Sequence, residues 1–380
     1  MTGSRRSIAL ALSGGGIRAM AYHAGVLRWM AENHLMERVS HVSSVSGGSL
    51  LVGLIFQWNS MRWPTSEEYL AKIHPRLRTE LCRRSLMWGA LRQLFNPLSW
   101  RFFLSRANLV ALALRKEWHV TATLSDLPKT PEWSINGTTA ENGKRFRFKA
   151  SQMGDYELGY TTECGSFPLA NAMAVSAAFP GLIGPLTLRA SKYVWKKRPW
   201  GSAPGTEQVI TLPFGSIHLY DGGVYDNLGL EPLFDSGRQS SKVGDACIVA
   251  SDAGLPLPQE TRWNPLSVFR LTRVVDVMSE QGRSLRVRAF SNYLQGDKGR
   301  GAFLYIAGPK PQQPDAEALF AMRFPTTLRT LTPVDFDRLA AHGHAVASAA
   351  EVNYGALRSV EGADSAGAPS TKSTWPSHEH

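Results

Sequence analysis

Three glycine-marked turns carry the residues best suited to chemistry. Ser44-Val45-Ser46-Gly47-Gly48 sets a serine hydroxyl between a short apolar run and a helix start. Small neighbours tolerate a strained bend, and the helix N-terminus favours developing negative charge, which together describe a nucleophile elbow of the G-x-S-x-G kind with Ser44 in place of the first glycine. From these residues alone an ordinary Ser/Gly helix start reads equally well. Gly14-Gly15-Gly16, just ahead of Arg18, offers backbone N–H groups at a second helix start, suited to an oxyanion or another anion. Gly14-x-Gly16-x-x-Ala19 also matches the dinucleotide fingerprint, but that reading wants an acid at the end of the second strand, and Glu37 precedes the strand. Asp221-Gly222-Gly223 ends a third apolar run with a carboxylate that is either a base or a turn former.

The elements that position these turns follow from periodicity. Ile8–Leu12 is an apolar run bounded by polar residues and glycine, a buried strand. Ile17 to Asn33 has apolar residues at helical spacing, Val39 to Ser44 is a second short strand, and Ser46-Gly-Gly-Ser opens a helix through Trp58. Strand–helix–strand–helix at this spacing predicts parallel, adjacent strands with a right-handed crossover. That places Gly14–Gly16 and Ser46 on the same C-terminal edge, where open α/β sheets bind ligands. Asp221 reaches the edge if its strand is a parallel neighbour. Ser134–Asn136 and Arg145–Phe148 read as paired strands across the turn Glu141-Asn142-Gly143. Leu169–Ala178, Pro265–Asn292 and Pro333–Val352 read as helices, Ser216–Tyr220 and Ala246–Ser251 as strands, and Arg189–Thr206 as a surface excursion.

Composition narrows the class. At 43% hydrophobic and 19% charged residues the chain buries a substantial core, and its net charge of +11 suits an anionic partner. Ten basic residues against Glu80 fall between Lys72 and Lys116, interleaved with Trp88, Phe95, Trp100, Phe102 and Phe103. Within a helical insertion over 60–118, this stretch reads as a contact for anionic lipid or as a solvated helical face with its aromatics in the core. Cys82, Cys164 and Cys247 are widely spaced, so neither a disulfide framework nor a zinc site is expected, and Cys247 reads as a buried inert thiol. The apolar start is too short for a signal peptide and there is no apolar run of about 20 residues, so the expectation is a cytoplasmic protein, peripheral at most to the inner membrane face. From Gly362 on, Ala, Ser, Gly and Pro dominate, and 356–380 reads as a disordered tail.

Taken together, Gly14-Gly-Gly-Ile-Arg18, Tyr22-His-Ala-Gly-Val-Leu27, the Ser46 elbow, Ala174-Val-Ser-Ala-Ala-Phe-Pro-Gly181 and Asp221-Gly-Gly223 come in the order and spacing of the patatin-like phospholipase family, which the chain resembles from about Ile8 to Ala253. The resemblance implies a three-layer α/β/α fold around a central, mostly parallel sheet, with one acyl hydrolase domain over 5–355. It implies a Ser46–Asp221 dyad acting on acyl esters of lipids without histidine, metal or other cofactor, and no nucleic-acid partner is expected. Gly14, Gly15 and Gly16 become the oxyanion hole, with Arg18, Gly47, Gly48, Gly222 and Gly223 in support. Ser44 and Ala19 depart from the family's glycines, and neither change removes a catalytic group. Partial burial is expected to raise the pKa of Asp221 towards that of a useful base. A histidine-assisted triad drawing on His342, His344 or His218 is the alternative arrangement, with His23 a packing histidine.

Overall fold

The computed structural model describes residues 6–102, 105–180, 183–203, 205–257, 270–297, 299–309 and 313–355. The expected tail at 356–380, Phe103, Gly181 and the start of the Pro265–Asn292 helix lie outside them.

The sheet begins as anticipated. Strand β1 (Ile8–Leu12) is followed by helix α1 (Gly16–Glu32), β2 (Val39–Ser44) and α2 (Gly47–Trp58). β1 is buried on both faces, as parallel strands under two helical layers are. Ile8, Leu10 and Leu12 point into the larger core with α1 and α2, while Ala9 and Ala11 point into a smaller one with Leu228, Ile248 and Phe290.

Helices α3 (Ser66–Glu68), α4 (His74–Arg83), α5 (Leu86–Arg92) and α6 (Arg106–Lys116) form the insertion. Its aromatic residues Trp88, Phe95 and Trp100 are exposed, together with Leu91 and Leu98, and Phe95 reaches 88%. Of the two readings of this segment, aromatics in the core is therefore excluded for these three.

β3 (Glu132–Thr139) joins β2 in parallel, and β4 (Arg145–Phe148) turns back along β3 in the expected hairpin. β5 (Met153–Asp155) and β6 (Gly159–Thr161) extend the sheet ahead of α7 (Leu169–Ser176). β7 (Leu186–Arg189) pairs with a later strand, whereas β8 (Trp195–Lys197) and β9 (Gln208–Ile210) complete the antiparallel wing. The segment read as a surface excursion thus contains a sheet strand, because Trp195 is buried and donates its indole N–H to the Ala190 carbonyl at 2.9 Å.

β10 (Ser216–Asp221) leads into the short α8 (Gly223–Asp226), and β11 (Phe234–Asp235) and β12 (Ser240–Ser241) form a small separate hairpin. β13 (Cys247–Asp252) pairs in parallel with β1, and β14 (Gly301–Tyr305) in parallel with β13. Helices α9 (Arg270–Gln295), α10 (Ala316–Arg323) and α11 (Pro333–Tyr354) complete the layers, with α11 packed along α1. The order β14-β13-β1-β2-β3 is parallel throughout, which makes it the central sheet of a mixed α/β/α fold. Burial pushes the Cys247 thiol up to about 12, consistent with an inert side chain.

β10 arrives in a way the local pattern did not predict. It is antiparallel to β3, not parallel, pairing Leu219 with Thr139 and Asp221 with Gly137. β3 is longer than β2, whose last residue Ser44 pairs with Ile135. β2 and β10 therefore occupy the same edge of β3 from opposite directions, and their ends meet head-on.

Candidate active site

Ser46 stands between β2 and α2 with φ 48° and ψ −118°, a backbone conformation costly for a side chain larger than glycine. The surroundings hold it there. Its N–H donates to both the carbonyl and the hydroxyl oxygen of Ser176, each at 3.0 Å. Ser176 is linked through Ser49 to Ser44, each hydroxyl pair 2.8 Å apart, and Trp133 donates its indole N–H to Ser44 at 2.8 Å. The departure at Ser44 is thereby absorbed: its hydroxyl turns into a buried polar chain behind the elbow.

The glycine loop lies directly against this turn. Gly15 and Gly16 have φ of 144° and 60°, values that favour glycine, and a Cβ on Gly47 would collide with the Gly16 carbonyl. The three glycines of the loop are not equivalent as donors. Gly14 gives its N–H to the Asn227 carbonyl at 3.1 Å, so its part is to let the loop approach Ser46. No acceptor among the described residues takes the N–H of Gly15, Gly16 or Gly47, which stand at the starts of α1 and α2. Gly48 donates to the Val45 carbonyl at 2.8 Å and closes the turn.

Arg18 is buried and serves the loop. Its guanidinium donates twice to the Ala253 carbonyl, at 3.2 and 3.0 Å, and to Phe324 O at 2.7 Å and Thr326 Oγ1 at 3.0 Å. Desolvation lowers its pKa to about 10, with Asp252 opposing. Its hydrogen bonds tie the loop to β13 and to the 324–328 segment, whose Thr327 carbonyl also accepts the Ile17 N–H at 2.8 Å.

Asp221 ends β10, is buried, and accepts a hydrogen bond at 2.6 Å from the Gly223 N–H, with the Ser46 side chain near enough to favour its charged form. Desolvation raises its pKa from 3.8 to about 7, against the lowering effect of those two groups. Its own N–H donates to Ala178 O at 3.0 Å. The end of α7 thus grips both partners, Ser46 through Ser176 and Asp221 through Ala178. Gly222 follows with its carbonyl accepting from Asp226 at 2.9 Å, which starts α8. A serine on a strained elbow, a buried carboxylate poised near neutrality and three N–H groups without an acceptor are the kinds of parts that nucleophilic acyl transfer needs.

The histidines are engaged elsewhere. His218 pairs with Glu141 at 2.8 Å, His344 with Glu32 at 2.7 Å, and His342 bonds the Ile306 carbonyl at 2.6 Å. His23 is buried between Ser251 Oγ (2.8 Å) and the Ser13 carbonyl (3.1 Å), and burial pushes it down to about 4. Among the described residues no group of three or more metal-ligating side chains assembles, and no helix is long and apolar enough to cross a membrane. Glu37 binds Ser66 through its N–H at 2.6 Å and its hydroxyl at 2.8 Å, so it is not the ribose-binding acid a dinucleotide site requires.

Asn227 and Ser176 were missed from the sequence. Asn227 directly follows Asp226, and a Cβ on Gly223 would fall 2.8 Å from its Oδ1, which puts its side chain in the site. A polar residue at that spacing after Asp221-Gly-Gly223 was the available signal. Ser176 had none beyond its place in the Ala174–Gly181 motif.

A central parallel sheet between helical layers, with a serine elbow and a glycine loop on one edge, defines an α/β/α protein of the patatin type. The chain belongs to the patatin-like phospholipase family, whose model matches residues 10–234. Among curated proteins no significant match is found. The fold is similar to that of human GIVD cytosolic phospholipase A2, with a TM-score of 0.53 at 15% identity over 93% of this chain and 60% of that one. The same human protein in complex with methyl gamma-linolenyl fluorophosphonate gives a TM-score of 0.52 at 15% identity, over 93% and 58%. The chain therefore spans about three-fifths of the length of these structures, and the likeness is one of fold.

Proposed function

We propose that this protein is a lipid acyl hydrolase of the phospholipase A or esterase type, a single domain over 5–355 working through Ser46 and Asp221. The observation that carries the reading is the strained Ser46 elbow beside a buried Asp221, whose pKa desolvation raises to about 7 and whose charged form the Ser46 side chain favours. Ser46 Oγ attacks the ester carbonyl and passes its proton to Asp221. The tetrahedral oxyanion is held by the N–H groups of Gly15, Gly16 and Gly47. Collapse expels the alcohol, which takes the proton back from Asp221. Water then attacks the acyl-enzyme with Asp221 again accepting the proton, the bond to Ser46 Oγ breaks as that oxygen takes the proton back from Asp221, and the free acid leaves. Gly222 and Gly223 keep the carboxylate aimed at Ser46, while Arg18, Gly14 and Gly48 hold the loop and elbow in place.

Labelling with a fluorophosphonate probe, followed by mapping of the modified peptide, tests the nucleophile. A single adduct on Ser46 is expected; an adduct elsewhere, or none while ester hydrolysis proceeds, removes the reading.

The insertion is the surface that meets the lipid. Trp88, Phe95, Leu98 and Trp100 are exposed beside a stretch rich in Lys and Arg, and near an anionic surface each cation contributes about 1 kcal/mol. Replacing Trp88, Phe95 and Trp100 together by Ala should weaken sedimentation with phosphatidylglycerol vesicles at least about tenfold while leaving hydrolysis of a soluble short-chain ester intact. Equal vesicle binding by the triple variant would assign the lipid contact to another face.

A further inference from the structure

Asp221 takes one proton, which is all that the Ser46 hydroxyl offers. Water, the second nucleophile of an ester hydrolase, brings two hydrogens, and the Asn227 side chain stands close to both Ser46 and Asp221. α8 ends at Asp226, whose carboxylate accepts the N–H groups of Leu228 at 3.1 Å and Glu231 at 3.0 Å. With the Asn227 carbonyl accepting the Gly14 N–H at 3.1 Å, the backbone at Asn227 is tied on both sides. A Cβ on Gly14 would stand 2.3 Å from Asn227 Oδ1 and 3.0 Å from Ser46 Cβ, so those two atoms are at most about 5.3 Å apart. A Cβ on Gly223 would stand 2.8 Å from the same Oδ1 and 3.1 Å from Asp221 Oδ1, which puts the amide oxygen within about 5.9 Å of the carboxylate.

The amide is also oriented. A Cβ on Gly254 would lie 3.4 Å from Asn227 Nδ2 and 2.8 Å from Asp252 Oδ1, which sets the NH2 end on the side of the buried Asp252 carboxylate. Arg283 holds that carboxylate through its Nε at 2.8 Å. A carboxylate favours the donor end of an amide, and the acceptor end is left for Ser46 and Asp221. Among the described residues neither atom of this amide makes a hydrogen bond, so Oδ1 is free to accept one. A single water with hydrogen bonds of about 2.8 Å bridges two acceptors about 4.5 Å apart, a separation inside the limit for Oδ1 and the carboxylate.

We infer that Asn227 is a catalytic residue of the second half-reaction: its Oδ1 holds one hydrogen of the attacking water while Asp221 takes the other, so that the acyl-enzyme passes to water in preference to alcohols. The inference rests on Ser46 being the nucleophile. With both hydrogens engaged, a lone pair of the water is left for the acyl carbon. The new C–O bond forms as one proton goes to Asp221 and the carbonyl electrons move to the oxyanion. The second hydrogen stays on the entering oxygen, against Asn227 Oδ1. Collapse breaks the bond to Ser46 Oγ, which takes the proton back from Asp221. An alcohol has one O–H, so its carbon lies against Oδ1, and an acceptor left without a donor under the acyl group costs free energy. Formation of the acyl-enzyme needs only Asp221.

The test lets the acyl-enzyme from p-nitrophenyl butyrate choose between water and methanol, and reads butyric acid against methyl butyrate. Both products come from one intermediate, so changes in the acylation rate cancel. The full-length wild-type protein should favour water, mole for mole, by about tenfold. Asn227→Leu, which keeps the branched shape and removes the acceptor, should lower the ratio of acid to methyl ester about tenfold. Asn227→Asp, which restores an acceptor, should return the ratio towards the wild-type value. Fluorophosphonate labelling of Ser46 should proceed in Asn227→Leu at the wild-type rate, because that step uses no water. A merely structural role for Asn227 slows labelling and leaves the ratio where it was, which overturns the inference. A wild-type preference for methanol overturns it as well, whether or not the variants fold. Absence of both ester hydrolysis and Ser46 labelling in the wild type overturns the reading of the site, and the role of Asn227 falls with it. Labelling of Ser46 with an unchanged ratio in Asn227→Leu overturns the role of Asn227 alone.

Discussion

Asp221→Asn is expected to reduce kcat about 10³–10⁴-fold, the scale seen when the carboxylate of a serine hydrolase loses its charge. An asparagine keeps the shape and accepts the Gly223 N–H, but its amide cannot take the proton of Ser46. The loss should fall on kcat with KM little changed, because Asp221 acts on the nucleophile and not on the bound chain. Fluorophosphonate labelling of Ser46 should slow in parallel. Labelling at the wild-type rate in Asp221→Asn would show that the carboxylate is a structural turn former. The pH profile provides a second check. Only ionised Asp221 is a base, and its pKa stands at about 7, so kcat/KM should fall about tenfold per pH unit below that value and level off above it.

The same residue should leave a mark on stability, of a sign opposite to that of a salt-bridged aspartate. Its pKa is raised on folding from 3.8 to about 7, so the folded state holds the proton more tightly than the unfolded chain does. That contribution is fully present below about pH 4 and is lost as pH rises through 7, where a buried charge must be carried. Asp221→Asn should therefore be more stable than the wild type at pH 8, by about 2–4 kcal/mol, and the difference should vanish near pH 4. Urea titrations at the two pH values measure it; a variant less stable at pH 8 would contradict the desolvated environment assigned to the carboxylate.

Gly47→Ala is the second substitution with a large expected effect. A Cβ here would collide with the Gly16 carbonyl, so the elbow and the glycine loop cannot keep their contact. The loop has little freedom to retreat, since Ile17 N–H is bonded to Thr327 at 2.8 Å and Arg18 to Ala253 at 3.0 and 3.2 Å. Separating the two helix starts disperses the N–H groups of Gly15, Gly16 and Gly47. Loss of one oxyanion donor costs about 10²–10³ in rate, so kcat should drop by at least that much, with a destabilisation of about 1–3 kcal/mol from overpacking. Gly143→Ala is the natural comparison: no atom lies within 4 Å of a Cβ there, and although its φ of 67° carries some strain the site is remote from Ser46 in the β3–β4 turn. Activity of Gly47→Ala close to that of Gly143→Ala would place the oxyanion donors elsewhere.

The unit from β1 to α2 was legible because each piece is written locally. Ile8–Leu12 and Val39–Ser44 are strands of the predicted length, and the residues between them carry helical spacing. A parallel pair joined by a helix allows one handedness, so Gly14–Gly16 and Ser46 had to share an edge. The aromatic insertion was equally plain in composition, yet composition could not say which way its rings face. Trp88, Phe95 and Trp100 turn out exposed, while Leu77, Leu81 and Leu114 of the same insertion are buried.

What the chain's own pattern decided was therefore the nature of the parts and the neighbourhood of two of them; what folding alone decided was how the third arrives and what each donor is free to do. Asp221 comes from a strand antiparallel to β3, with a register set by Asp221 opposite Gly137, and no periodicity within Ser216–Asp221 carries that information. Strand register is fixed by long-range packing of one face, here on α7, whose end also supplies Ser176 and Ala178 to hold the two partners. Likewise Gly14, Gly15 and Gly16 are chemically identical in sequence. Only the approach of Asn227 from far along the chain takes the first N–H and leaves the other two without an acceptor.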